Sequence, residues 1–332
     1  MAMNNYSLSV SFFKKYVLLD QTSAVVYYNL AMCLNELAQL DEAASAYRQA
    51  LIIKPNFIDA LYNLANLLNE QQRYQASQQC YQDVLILDPL HLNAAINQGN
   101  AFQQMRCFKE AEESFLQAIK LQPNEATAYN NLGNLLFKLK RFSEAEACFL
   151  NALNRRQNYA NACTNYSLLL LSQGRFEEGW QAHETRFHPN KDNRAIQPVA
   201  GGVKQWQGEV LDGKSLLVWP EQGFGDEIQF VRYLPLLKGR GVRRLVLVCK
   251  KPLQALFAQL ECVDKVICID DFDRADLQGV DYWVFIMSLP FHFKTRLNSI
   301  PAILPYLKVS QQSIDYWANF LPSLALNVGL ER

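Results

Sequence analysis

Five asparagines recur at an interval of 34 residues: Asn29, Asn63, Asn97, Asn131 and Asn165. Three residues after the middle members stand Asn66, Asn100 and Asn134. A side-chain amide carries two N–H donors and an acceptor oxygen. The i, i+3 spacing puts both members of each pair on one face of a helix. Asparagine is a mediocre helix former, so five in register need a reason other than propensity. One reason is recognition. A row of amides suits the backbone of an extended peptide, whose polar groups also recur, each bond contributing about 0.5–1.5 kcal/mol net. The other is that the amides bond neighbouring repeats and stiffen the array. Both readings stay open on sequence grounds.

Two further stretches have the residue types for chemistry. "GEVLDGKS", Gly208 to Ser215, fits G-x-x-x-x-G-K-[ST], the pattern of a phosphate-cradling loop. Such a loop needs a strand before the first glycine and a helix at the lysine. Here "GGVKQWQ" is a poor strand and "SLLVW" reads as a strand rather than a helix. "LDGK" is therefore expected to be a tight turn, with Lys214 opening the first strand. The loop "WPEQGFGDEIQF", Trp219 to Phe230, follows that strand and precedes a helix. Ligands gather at the carboxyl ends of parallel strands. Gly223 and Gly225 permit backbone conformations closed to other residues. Asp226 and Glu227 stand at the helix start, where a carboxylate also serves as a cap.

The elements that must position these residues follow from a repeat. Pro55, Pro89 and Pro123 are 34 residues apart, and the same frame gives units starting at Ala24, Ile58, Leu92, Ala126 and Ala160. The eighth position is always small (Ala31, Ala65, Gly99, Gly133, Ser167), as is the twentieth (Ala43, Ser77, Ala111, Ala145, Gly179). The twenty-fourth always has a ring: Tyr47, Tyr81, Phe115, Phe149, His183. Small residues let two antiparallel helices approach, the ring fills the gap beyond, and the proline stops the second helix. One hairpin cannot bury its apolar face, so the units must stack. Phe13, Tyr16 and Leu19 fit the second half of an earlier unit, so residues 1–23 are expected to be a capping helix or a partial repeat. Gln157 replaces a proline, and Arg186 stands where earlier units have Ala or Val, so the fifth unit is expected to end the stack and dock on something.

This pattern, in lines such as "AYNNLGNLLFKLKRFSEAEACFLNALNRR", resembles the tetratricopeptide repeat family over residues 24–187. The resemblance implies a helical solenoid whose first helices line a concave, protein-binding surface. The asparagine ladder is similar to that of the O-linked N-acetylglucosamine transferase family.

After Phe187 the period is lost. "HPNKDNRAIQPVAGGVK", within 188–204, reads as a linker. Beyond it, "KSLLVW", "RRLVLVC", "KVICI" and "DYWVFIM" read as strands, and "DEIQFVRYLPLLKGRG" and "KPLQALFAQL" as helices. That alternation predicts a parallel, Rossmann-like α/β domain over 205–332. The run from "WQGEVLDGKSLLVWPEQGFGDEIQFVRYLPLLKGRG" to "SIPAILPYL" resembles the glycosyltransferase-like region of bacterial tetratricopeptide proteins, and "SQGRFEEGWQAHETRF" their junction. "GFGDEIQFVRYLP" is similar to a loop of the heptosyltransferase family. The resemblance implies the first half of a two-domain GT-B fold. It places a general base acting on an acceptor hydroxyl at Asp226, with helix capping as the alternative role. Glu221, Gln222, Gly223, Gly225 and Ser288 are the expected substrate-cleft residues. In the family a phrase like "VGL" opens the donor domain, and the chain stops there, so transfer is expected only with that domain supplied. The alternative function is a non-enzymatic scaffold.

Composition sets the outer limits. Of 332 residues, 50% are hydrophobic and 19% charged, enough apolar content for two ordinary domains. Lys plus Arg (32) equals Asp plus Glu (32), which leaves no global basic field for nucleic acid. Eight scattered cysteines form no C-x-x-C, so neither a metal site nor a cofactor is expected. His183 is expected in the core, and His292 is a cleft candidate. With no signal peptide and no apolar run long enough to span a bilayer, the expected location is cytoplasmic. The expected partners are a protein or peptide on the repeats, and a sugar or protein acceptor at the sheet domain.

Overall fold

A computed structural model of the protein describes residues 2–187, 202–221, 223–303, 306–308, 311–318 and 320. The chain forms two compact units, Met1–Leu169 and Leu170–Arg332. The first opens with α1 (Ala2–Leu19), whose Val10 joins the core of the hairpin that follows. Four hairpins of nearly identical dimensions succeed it: α2 (Ala24–Glu36) with α3 (Leu40–Ile53), α4 (Ile58–Glu70) with α5 (Tyr74–Leu87), α6 (Leu92–Gln104) with α7 (Phe108–Leu121), and α8 (Ala126–Lys138) with α9 (Phe142–Arg155). The first helices have 13 residues each and the second 14. A fifth pair follows, α10 (Ala160–Ser172) and α11 (Phe176–Glu184).

The predicted packing residues explain the regularity. Ala31, Ala65, Ala43, Ser77, Ala111 and Ala145 are fully buried. A Cβ added to Gly99 would come within 2.6 Å of the Phe115 ring, and one on Gly133 within 2.7 Å of Phe149. Glycine thus admits the ring of the partner helix. Ser77 uses its hydroxyl to donate to the Ala65 carbonyl at 2.8 Å, sealing the same contact. The hairpin turn repeats as well: Ala38, Gln72, Arg106 and Lys140 have φ between +57° and +61°, and Gly174 has +77°. The residue before each proline, Lys54, Asp88 and Gln122, is extended at φ −133°, −135° and −137°. Proline favours that conformation in its predecessor. Arg156 adopts it too, at φ −141°, although Gln157 follows.

In the second unit a sheet follows α11: β1 (Lys204–Gln205), β2 (Ser215–Trp219), β3 (Arg244–Cys249), β4 (Lys265–Cys268) and β5 (Tyr282–Phe285). All pairings are parallel, in the order β1-β5-β2-β3-β4. Its strands are apolar on both faces, as parallel strands covered on both sides must be. Leu216, Val218, Leu245, Leu247 and Val284 face one core. Leu217, Val246, Val248, Trp283 and Phe285 face the other. The remaining helices are α12 (Phe224–Phe230), α13 (Leu234–Gly239), α14 (Lys251–Phe257), α15 (Leu289–His292) and α16 (Gln311–Ala318).

Three local features refine the sequence reading. The helix read through "DEIQFVRYLPLLKGRG" breaks at a 3-10 turn, Val231–Tyr233, because Pro235 at the start of α13 supplies no backbone donor. No α-helix joins β4 to β5; 3-10 turns at Ile269–Asp271 and Arg274–Leu277 do so. The short β1 lies in the stretch read as a poor strand, with Lys204 opposite Tyr282. The phrase "VGL" lies outside the described residues, as does 188–201 of the linker.

Gly174 tests the repeated turn. A Cβ there meets nothing within 4 Å, so only backbone strain opposes it. Gly174→Ala is expected to cost about 1–2 kcal/mol, the left-handed penalty of an L-residue, in chemical denaturation.

Candidate functional site

The asparagine ladder forms a half-buried strip along the first helices of the repeats. Asn97 Nδ2 donates to Asn66 Oδ1 at 3.0 Å and to the Tyr62 hydroxyl at 3.2 Å. Asn131 Nδ2 donates to Asn100 Oδ1 at 3.0 Å. Asn63 donates to the Tyr28 hydroxyl at 3.1 Å, and Asn165 to Asn130 Oδ1 at 3.0 Å. Tyr81 donates its hydroxyl proton to Asn66 at 2.7 Å. Four of the five sixth-position amides, those of Asn63, Asn97, Asn131 and Asn165, thus reach back to the fifth or ninth position of the preceding repeat. Among the described residues Asn29 and Asn134 make no such bond. Inter-repeat bonding, one of the two roles read from the sequence, therefore occupies part of the ladder. The strip also opens outward. Asn63 and Asn66 line a hollow of about 220 Å³ with Asn35, Glu36, Tyr47 and Glu70. Its charged groups are both carboxylates. Asn35 Oδ1 is buried without a hydrogen-bond partner.

The sheet's carboxyl edge is organised around Arg186. Its Nε and Nη2 donate to Glu221 Oε2 and Oε1 at 2.8 and 2.9 Å. Nη2 also donates to Ser288 Oγ at 3.0 Å, and Nη1 to the His183 carbonyl and to Glu184 Oε1, both at 2.8 Å. These bonds use all five guanidinium N–H groups. Glu221 accepts a third bond from the Met287 amide at 3.0 Å. The side chains of Arg186 and Glu221 are 1% and 0% exposed. Burial pushes the Glu221 carboxyl above its ordinary range, against the pull of Arg186. Glu221 follows β2 and Ser288 follows β5, the neighbouring strands at which the chain order reverses. An open parallel sheet offers its ligand crevice at that place. Here the protein's own arginine fills it. Glu221 and Ser288, both expected cleft residues, come together as partners of the buried Arg186.

Asp226 is half-buried and accepts from the Gly223 amide at 3.3 Å, the geometry of a helix cap. Gly223 and Gly225 are exposed beside it, and Gln222 lies outside the described residues. Glu227, one residue on, is buried. It accepts from the Lys250 amide at 3.3 Å and lies 3.7 Å from Lys250 Nζ. Desolvation raises its pKa. Sequence reading assigned Lys250 no role, because its contact with Glu227 spans two strands. Arg186 was visible only as a departure from the repeat.

The phosphate-loop pattern holds no such loop. Lys214 donates its amide to the Leu211 carbonyl at 2.9 Å, closing a turn whose Gly213 has φ +69°. Lys214 Nζ lies 3.8 Å from Asp281. His183 is buried in its ring slot, and burial, aided by Arg186, lowers its pKa to about 3. No cluster of three or more His, Cys, Asp or Glu fit for a metal occurs among the described residues. Nor is any helix among them long and apolar enough to cross a membrane.

Three tetratricopeptide repeat family models match the chain, over residues 24–57, 46–79 and 96–162. The helical repeats are therefore tetratricopeptide repeats. Protein FlbA of Caulobacter vibrioides is 41% identical over 58 residues, 18% of this chain and 9% of FlbA. The matched segment is thus a small part of that relative. Among solved structures, YrrB, a TPR protein with an unusual peptide-binding site, is 19% identical and covers 52% of this chain and 90% of its own, with a TM-score of 0.44. MamA is 17% identical, with 53% and 97% covered and a TM-score of 0.46. The C-terminal part of a TPR protein from Cytophaga hutchinsonii is 17% identical, with 55% and 73% covered and a TM-score of 0.48.

Arg186→Ala leaves the Glu221 carboxylate buried without its cation and is expected to cost about 3–5 kcal/mol in urea unfolding. Arg186→Leu combined with Glu221→Leu is expected to recover most of that loss, since a buried ion pair is close to break-even against apolar packing. His183 gives a pH signature. Its folded pKa lies below its ordinary value of 6.5. As pH falls from about 6.5 toward 3, the unfolded chain takes up a proton that the folded one refuses, so stability is lost. Thermal unfolding at pH 7 and pH 4.5 should show a smaller drop for His183→Phe than for the wild type.

Proposed function

We propose that the repeats bind an extended stretch of another polypeptide along the asparagine strip, and that a Lys or Arg side chain of that partner enters the hollow between the first two repeats. The observation that carries this is the hollow itself. It opens where Asn63 and Asn66 stand, and Glu36 and Glu70 give it carboxylate acceptors with no cation among its lining residues. Inter-repeat bonds support the reading. Amides already oriented by their neighbours lose less rotamer freedom on binding. The test is selection of displayed 12-residue peptides on the purified protein, followed by titration of the best binders. Lys or Arg should be enriched. Glu36→Gln with Glu70→Gln should weaken binding about tenfold, the loss of a charge-assisted bond or two. Binders without a basic residue, or affinities unmoved by these substitutions, would sink the reading.

For the sheet unit we infer the acceptor-side half of a glycosyltransferase-like fold, the Rossmann-like part of a GT-B arrangement, able to transfer a sugar only together with a donor-binding half. The order β4-β3-β2-β5 with a carboxylate in the first turn after β2 supports it. The adaptor alternative draws support from the filled crevice: Arg186, Glu221 and Ser288 are spent on each other. Asp226→Asn separates the two. An amide still accepts from Gly223, so a purely capping Asp226 predicts a stability change within about 1 kcal/mol and nothing more. A general base predicts the same small change together with loss of sugar transfer in the protein supplied with a donor-binding domain.

A further inference from the structure

A second cavity, of about 430 Å³, lies wholly in the sheet unit and takes no part in the functions above. That volume suits a small ligand. Trp180 and Gln181 of α11 form one wall, and Phe291 and His292 of α15 another. Gly208, the first glycine of the phosphate-loop pattern, lines the cavity with φ +106°. The cations Arg240 and Lys294 reach it, and its single acidic residue, Glu177, is paired with Arg296 at 3.0 Å. The local charge is therefore positive.

The cavity is built rather than incidental. His292 stacks on the fully buried Trp206, ring centres 4.3 Å apart and planes 32° apart. Arg240 lies 4.1 Å over the Phe293 ring and donates Nη2 to the His292 carbonyl at 3.2 Å. That leaves guanidinium donors for a ligand. Burial first, then the Arg240 charge, lowers the His292 pKa to about 4, so near neutrality its ring is an uncharged face for stacking.

We propose that this cavity is a binding site for a small ring-bearing anion, whose ring lies against Trp180, Phe291 and His292 and whose carboxylate or phosphate is held by Arg240 and Lys294. Aromatic walls alone would take a neutral ring equally well, and cations alone would take a bare phosphate. The combination selects a ligand with both parts.

Titration calorimetry on the full chain tests this with four probes: phenyl phosphate, benzoate, neutral benzamide and inorganic phosphate. Phenyl phosphate or benzoate should bind saturably, at least about tenfold more tightly than benzamide or inorganic phosphate, the worth of one charge-assisted contact or one ring contact. Lys294→Gln, at an exposed position, should weaken that binding about tenfold with the melting temperature unchanged, and Arg240→Gln should weaken it at least as much with the fold retained by circular dichroism. Preference for phenyl phosphate over benzoate would identify a phosphate-bearing ligand, and the reverse a carboxylate. Equal affinity for benzamide, equal affinity for inorganic phosphate, or full binding by both cation variants would each overturn the proposal. So would the absence of saturable binding by either ring-bearing anion.

Discussion

The contact on which the repeats depend is the approach of a ring to a residue with almost no side chain. Phe115 against Gly99 and Phe149 against Gly133 leave no room for even a methyl group without a shift. The two helices of a hairpin are thereby held at one spacing. Equal helix lengths carry that spacing from unit to unit, so sixth-position amides fall at bonding distance from the preceding repeat. Offsets of 31 residues, as in Asn97 to Asn66, and of 35, as in Asn97 to Tyr62, are two readings of one geometry. A local steric constraint in the hairpin thus sets the register of a polar strip on its outer face.

The same frame explains what changes at the last hairpin. Position twenty-seven is Ala50, Val84, Ala118 and Ala152 in the earlier units, and Arg186 in the fifth. A guanidinium at an apolar contact position must be desolvated, which is unfavourable unless every donor finds an acceptor. The sheet supplies Glu221 and Ser288, and the end of the hairpin supplies its own carbonyl and Glu184. The pair gains little net energy over an apolar contact of the same volume. Its effect is to match one helix end to one sheet edge. That match occupies the crevice between β2 and β5 and leaves Asp226 outside it, bonded to the Gly223 amide.

Local signals were legible in the sequence and non-local ones were not. Small residues, rings and prolines at fixed intervals identified every hairpin helix of the repeats, and apolar runs located β2 to β5 within a residue or two. Both signals come from contacts within one element or one repeat. The two-residue β1 is too short for a pattern, and its place beside β5 comes from partners nearly eighty residues away. The ion pair of Arg186 and Glu221 joins positions 35 residues apart across the segment where the repeat period is lost. Only the oddity of an arginine in an alanine column hinted at it. The asparagines show the limit of pattern: recurrence established that the position matters, but not that the amides face one another.

Charge illustrates why a whole-chain property says little about sites. Lys plus Arg and Asp plus Glu balance at 32 each, which rules out a global field. Yet the hollow in the repeats is lined by Glu36 and Glu70, and the cavity in the sheet unit by Arg240 and Lys294. At physiological ionic strength charges are screened over about 8 Å. Each place therefore acts through its own few charges, and the two are of opposite sign. Gly208 makes the same point on a smaller scale. A phosphate loop holds its anion by backbone amides at a helix start, and no helix starts at Lys214. The positive charge of the second cavity comes from Arg240 and Lys294, in the segments after α13 and α15, which no eight-residue pattern could contain.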